Sequence, residues 1–187
     1  WEGTQHIVPD GELRWMGARR TENLIPYSND FSNAAWVKIT NDTTPNPVIT
    51  PNYALNPDGE LSASRVQLSV SPDEVWNLLR PQFLNIPFVA GDIFVASFAL
   101  KANGVGQVGK KVDFYNYSGG FRVLTVITLT DEWQLCEVSI PHSHGNTVGE
   151  INFGKANTLY GGTTGAEMAT DFLLCNVQLE NVTNQSI

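Results

Sequence analysis

The chain has 187 residues, 42% of them apolar and only 16% charged, which suits one ordered domain with a sizeable core and excludes a disordered segment. A formal charge of −8 with no basic run sets aside nucleic acid and anionic membrane as partners, and no apolar run is long enough for membrane insertion. No signal-peptide pattern is present, and a chain that begins at Trp1 reads as a piece of a longer protein.

Residues 1–22 scatter Gly3, Pro9-Asp10-Gly11 and Gly17 among Trp1 and Trp15. That pattern gives turns and short extended pieces that need a partner surface, so 1–22 is read as an extended linker or interface segment. His6 stands alone there and is taken as structural. The stretch Arg20–Trp36 then leads into a β domain. Leu24 and Ile25 are expected to make a short strand that Pro26 ends, and Phe31 and Trp36 are hydrophobic pegs on an irregular Asn/Ser-rich segment. From Lys38 to Asn56 the chain is rich in Asn, Thr and Pro, with Val48-Ile49-Thr50 confined by prolines to an edge strand. Asn56-Pro57-Asp58-Gly59 is a turn in which Pro57 presets φ, Asp58 closes an Asx-turn and Gly59 accepts positive φ.

Runs with period-two patterning follow at Leu61–Val70, Val75–Phe83, Asp92–Lys101, Val108–Tyr117, Phe121–Leu129, Trp133–Ile140, Glu150–Phe153 and Asp171–Leu179. In the first, Val66, Leu68 and Val70 share a face; after the Ala90-Gly91-Asp92 turn, Phe94, Phe98 and Leu100 do. Ser118-Gly119-Gly120 turns the chain between two of the runs. No segment sustains a 3.6-residue period, which makes the chain all-β and favours two antiparallel sheets.

Catalytic signals are weak, and the chain is read as no enzyme. Asp73/Glu74 and Asp131/Glu132 are adjacent acidic pairs near strand ends, where solvated turn chemistry accounts for them. His142-Ser143-His144 has only Glu150 nearby and is set aside as a metal site. No nucleophile elbow, phosphate loop or dinucleotide fingerprint is present. Cys136 and Cys175 each share a face with apolar neighbours; two buried free thiols are the plain reading and a disulfide between neighbouring strands the sharper one. The surface of interest is Val108–Tyr117. With Val112 and Phe114 inward, Lys111, Asp113, Tyr115 and Tyr117 point outward, Arg122 joins from the next strand, and Trp76 with Arg80 extends the face from an adjacent strand. Aromatics stack on sugar rings while Asp, Lys and Arg bond hydroxyls, so this mixture suits a glycan; the competing reading is cross-strand pairs or a subunit interface. Trp36 and Trp133, both where strands begin, are assigned to core packing.

The succession GARRTENLIPYSNDFSNAAW, NPDGELSASRVQLS, GDIFVASFALKA, LTDEWQLCEVSI and DFLLCNVQLE resembles domains of bacteriophage tail and head-fibre proteins, themselves similar to jelly-roll carbohydrate-binding modules. The resemblance runs from about Gly17 to Glu180 and rests on fold markers rather than catalytic ones. It implies an all-β, two-sheet antiparallel jelly-roll β-sandwich over 23–182, preceded by the extended segment 1–22 and followed by a C-terminal linker from 183–187. Many such modules hold a structural calcium through an Asp in the closing strand, in a Y-x-D-D-V type pattern. Leu174-Cys175-Asn176-Val177 stands there with no carboxylate, which disfavours calcium unless Asp171 and Glu180 substitute, and no other cofactor is expected. The functional expectation is a non-catalytic carbohydrate-binding-like module of a virion fibre or receptor-binding protein, outside the cell, adhering to host surface polysaccharide. The alternative is an assembly or decoration domain that contacts other virion subunits, as a homo-oligomer (trimer), with no glycan ligand.

Overall fold

A computed structural model describes residues 23–40, 45–69, 76–81, 89–117, 121–141, 150–156 and 169–183. Its strands are β1 (Trp36–Thr40), β2 (Val48–Leu55), β3 (Leu61–Leu68), β4 (Trp76–Pro81), β5 (Ile93–Ala102), β6 (Lys111–Tyr117), β7 (Phe121–Thr128), β8 (Gln134–Pro141), β9 (Glu150–Ala156) and β10 (Thr170–Asn181). One 3-10 turn, Val105–Gln107, joins β5 to β6.

The strands form two five-stranded sheets, ordered β1-β4-β9-β6-β7 and β2-β3-β10-β5-β8, and every pairing is antiparallel. From β3 to β10 the chain crosses between the sheets at every connection except β6 to β7, a hairpin within one sheet, as in a jelly roll, with β1 and β2 each adding one edge strand. The fold is therefore the expected two-sheet antiparallel sandwich. The eight runs with period-two patterning all appear as strands, and β2 is the edge strand that its prolines require.

Alternation places one side of each strand in a single core. Phe94, Ala96, Phe98 and Leu100 of β5 meet Val112 and Phe114 of β6, Ile151 and Phe153 of β9, and Phe172 and Leu174 of β10. At its centre Phe98 crosses from one sheet to Phe153 and Phe114 of the other, with ring centroids 4.8 and 5.0 Å away.

The lead-in to the sandwich differs from expectation in two ways. Leu24-Ile25 is not a strand, because a side chain takes over most of the docking. Asn23 Oδ1 accepts from the Ile25 and Leu179 amides at 3.0 and 3.1 Å, and Asn23 Nδ2 donates to the Val177 carbonyl at 3.3 Å. Leu24 N–H makes a main-chain bond to Leu179 O at 2.8 Å, and Ser28 O accepts from the Val177 amide at 3.2 Å. Conversely, the segment after Trp36 is a regular strand, β1, held in antiparallel register with β4 from Trp36↔Pro81 to Thr40↔Asn77. Its partner supplies the order that its Asn/Thr-rich surroundings obscure. In the 56–59 turn, Asn56 rather than Asp58 closes the loop: its Oδ1 accepts from the Asp58 and Glu60 amides, both at 2.9 Å, while Gly59 holds φ 86.

Both cysteines are free, and they lie on opposite sides of one sheet with β5 between their strands. Cys136 packs against the core, whereas Cys175 is buried with Ala63 and Ala99 on the outward side. Burial pushes the Cys136 thiol up, and burial together with Asp58 pushes Cys175 up to about 12. Unfolded thiols ionise near ~8.5, so the folded chain holds protons that the unfolded chain has released. The stability Cys175 contributes is thus complete below that pH and is lost as pH rises toward about 12. Denaturant titrations should show stability falling through this window in the native chain, and less steeply in Cys175→Ala. Iodoacetamide should label Cys175 only after unfolding.

Candidate functional site

Strand β6 alternates as its sequence implies: Val112 and Phe114 enter the core, and neither Asp113 nor Tyr115 is part of it. The expectation that these last two open onto solvent is corrected. Asp113 and Tyr115 are both 0% exposed, as is Asn152 of β9, which stands opposite Tyr115 in register. Alternation tells which side of a strand a residue takes, not whether that side is covered. Lys111, where β6 begins, is half-buried.

Asn152 is the functional candidate missed in the sequence. It lies as one polar residue between Ile151 and Phe153, both core residues, and that interruption was its signal. Its Nδ2 donates to the Tyr115 carbonyl at 3.4 Å, and its Oδ1 is buried with no hydrogen-bond partner. A carboxylate, a phenol and an amide are thus sequestered on the outward side of β6 and β9, where burying polar groups is costly.

The other expected members of this face are placed by their main chain. Tyr117 pairs with Phe121 and Glu150 at the far end of β6. Arg122 stands opposite Asn116, one step out of register with either tyrosine, so it does not complete the tyrosine row as expected. Trp76 pairs with Ala156 and Arg80 with Val37, on a strand that β9 separates from β6, so β4 is not the adjacent strand it was taken for. His6, His142, His144, Asp73, Glu74 and the 118–120 turn lie outside the described residues. Asp131 and Glu132 are exposed, as a solvated turn requires.

The outward side of the second sheet carries two aromatic rings with cations over them. The Arg65 guanidinium lies 5.3 Å from the Tyr53 ring centre, and Lys101 Nζ lies 5.3 Å from that of Trp133. Between them Ala63, Ala99 and Cys175 make a floor of small residues against which Trp133 packs. The assignment of Trp133 to the core is therefore corrected: it is half-buried on the outward side, because it precedes β8 in phase with Leu135 rather than with Cys136. Trp36, by contrast, is 1% exposed and within the core as expected.

Arg65 also grips Asp171, donating from Nε at 3.0 Å and from Nη2, and Asn103 Nδ2 adds a bond at 2.9 Å. The Asp171 carboxylate raises the Arg65 pKa further, chiefly through these hydrogen bonds. As substitute calcium ligands Asp171 and Glu180 do not fit. Asp171 is engaged by Arg65 and Asn103, and Glu180 stands opposite Val95, about 30 Å farther along β10 at the usual rise per residue. At the position of the missing closing-strand Asp, the Asn176 amide N–H donates to Asn29 Oδ1 at 2.5 Å, and its Nδ2 faces Asp58 Oδ2 at 3.5 Å.

No protein-family model and no curated protein matches this chain. Solved structures do match it in fold. The CBM22-1 xylan-binding domain of Paenibacillus barcinonensis Xyn10C aligns at TM-score 0.58 and 12% identity, over 91% of this chain and 100% of that one. The enzymatically active domain of bacteriophage CBA120 tailspike protein 4 aligns at TM-score 0.57 and 14% identity, over 86% of this chain. The chain spans only 21% of that tailspike domain's length. A family 29 carbohydrate-binding module aligns at TM-score 0.53 and 11% identity, over 87% of this chain and 93% of that one. At such identities the likeness is one of fold. An enzymatically active chain stands beside the binding modules, so the fold does not by itself separate catalysis from binding.

Proposed function

We propose that the chain is a non-catalytic carbohydrate-binding module of a virion fibre or receptor-binding protein, acting outside the cell on host surface polysaccharide. Two matched folds of nearly the same extent are carbohydrate-binding modules, and the third belongs to a phage tailspike, which supports both halves of this reading. The feature on which it stands is the set Asp113, Tyr115 and Asn152 on the outward side of β6 and β9, 0% exposed in this structure, so a glycan reaches them only when that side opens. These groups combine a carboxylate acceptor, a phenolic hydroxyl and an amide with an unfilled acceptor, the mixture that reads sugar hydroxyls. Tyr117 extends the same strand, and Lys111 begins it. Trp76 and Arg80 are the more distant contributors by register, whereas Arg122 falls out of step with the tyrosines.

Titration calorimetry against host lipopolysaccharide and capsular polysaccharide tests this. The native chain should bind at least one of them. Tyr115→Phe and Asn152→Ala should each weaken binding by about threefold to tenfold, the equivalent of one hydrogen bond, with melting behaviour close to native. Tyr117→Ala should weaken it by a similar factor. A folded chain that binds no host surface glycan overturns the proposal. It would leave the assembly role, for which the exposed apolar residues Val48 and Leu55 on edge strand β2 speak.

A further inference from the structure

A concavity lies on the opposite side of the sandwich, away from the Asp113–Tyr115 face. It is a groove of about 360 Å³ over β8, β5 and β10, within the size range of small-ligand sites. A bulge in β10 coincides with it. Cys175 pairs with Ala99 and Gln178 with Ser97, so β10 spends one residue more than β5, and Asn176 takes up the excess at φ 55. Phe98 and Cys136 pack their side chains toward the core, so they offer the groove main chain only.

The side chains around the groove fall into two rows set by strand register. Leu135 and, opposite it, Ala99 form the apolar row; Ala99 is buried, and Leu135, 80% exposed although it is a large aliphatic residue, supplies the open apolar surface. Two residues along the strands, about 7 Å away, Glu137, Ser97 and Gln178 form a polar row, with Asn176 beside them. A sugar ring has the matching anatomy: an apolar C–H face and a rim of hydroxyls that both donate and accept. Carboxylate, hydroxyl and amide side chains meet such a rim without needing a charged ligand.

Charge narrows the class. Among the described residues no lysine or arginine lines the groove, whereas Glu137 does. The nearest cations on this side are engaged elsewhere, Arg65 with Asp171 and Lys101 over Trp133. An acidic sugar would meet a like charge at Glu137, with no cation among the described lining residues to offset it.

We infer that this groove is a second saccharide site, selective for neutral over acidic sugar units. The ligand class rests on the carbohydrate reading above, while the position rests on the β10 bulge and the two rows. With a site on each side of the sandwich, one module engages two segments of polysaccharide and gains avidity on a polymer that neither site has on a short oligomer.

Amide chemical-shift mapping on the isotopically labelled chain tests this, with xylohexaose and mannohexaose as neutral probes and an oligogalacturonate as the acidic one. A neutral probe should move the amides of Ser97, Glu137 and Gln178, and oligogalacturonate should leave them in place. Gln178→Ala should weaken the effect of the neutral probe there by about tenfold. Leu135→Ala, at a residue already 80% exposed, should do likewise without loss of fold. Glu137→Gln keeps an acceptor and removes the charge, so it should admit oligogalacturonate at severalfold higher affinity than the native chain does. Shifts confined to Tyr115 and Asn152 would overturn this second site and leave the first standing. Shifts confined to the groove would support it and remove the first. Groove amides that respond to no neutral probe at millimolar concentration, or respond better to the acidic one, overturn it outright.

Discussion

Trp36→Ala should destabilise the protein by about 3–5 kcal/mol, the usual cost of emptying the space of a fully buried aromatic. Trp36 is 1% exposed and meets Phe31, itself 0% exposed, edge-on with ring centroids 4.6 Å apart. Its Nε1 donates to the Tyr27 carbonyl at 3.0 Å, and its main-chain N–H donates to Asn33 O at 2.9 Å. One side chain therefore ties the 27–33 turns to the beginning of β1. For a chain of this length the loss corresponds to a fall in Tm of roughly 6–20 °C by calorimetry. Trp36→Phe restores most of the apolar contact but leaves the Tyr27 carbonyl without its donor, so it should cost about 1–3 kcal/mol. Equal effects of the two variants would show that the indole hydrogen bond, and not packing, holds this corner.

Phe153→Ala should cost about as much, roughly 3–5 kcal/mol, but by loosening the contact between sheets. Phe153 is 0% exposed, with Phe98 4.8 Å away at 87° and Phe114 5.1 Å away at 54°. Phe98 comes from one sheet and the other two from its partner, so the trio spans the sandwich at mid-height. Urea unfolding should give a lower midpoint at unchanged slope if the fold persists with a cavity. A double-mutant cycle of Phe98→Leu with Phe153→Leu should return a coupling of about 0.5–1.5 kcal/mol, because the edge-to-face pair is lost once. A coupling near zero would mean that the rings merely fill space.

Much of this architecture was legible in the residues. Period-two runs separated by turn chemistry specify strands, and enough of them without helical periodicity specify a sandwich. Phe31 and Trp36 stood out because large aromatics on a polar segment have little to do except fill a corner. β1 was legible only as a strand beginning at Trp36; the four residues after that peg carry no turn signal and become regular only through β4. Leu24-Ile25 misled for the opposite reason: two apolar residues before a proline look like a strand, yet Asn23 makes the bonds that a strand partner would have made.

The candidate site divides in the same way. From the amino-acid order alone came the fold class, the placing of Lys111, Asp113, Tyr115 and Tyr117 on one strand side, and the acidic balance of the chain. Each of these follows from local periodicity or from composition. Tertiary structure alone decided that Asp113 and Tyr115 are closed from solvent beside Asn152, that Arg122 falls opposite Asn116, and that Trp133 lies outside the core. It alone placed Leu135, Ala99 and Gln178 around one groove. Burial and register depend on which strands become neighbours, and in a jelly roll those neighbours are far apart in the chain: β10 lies between β3 and β5, and β9 between β4 and β6.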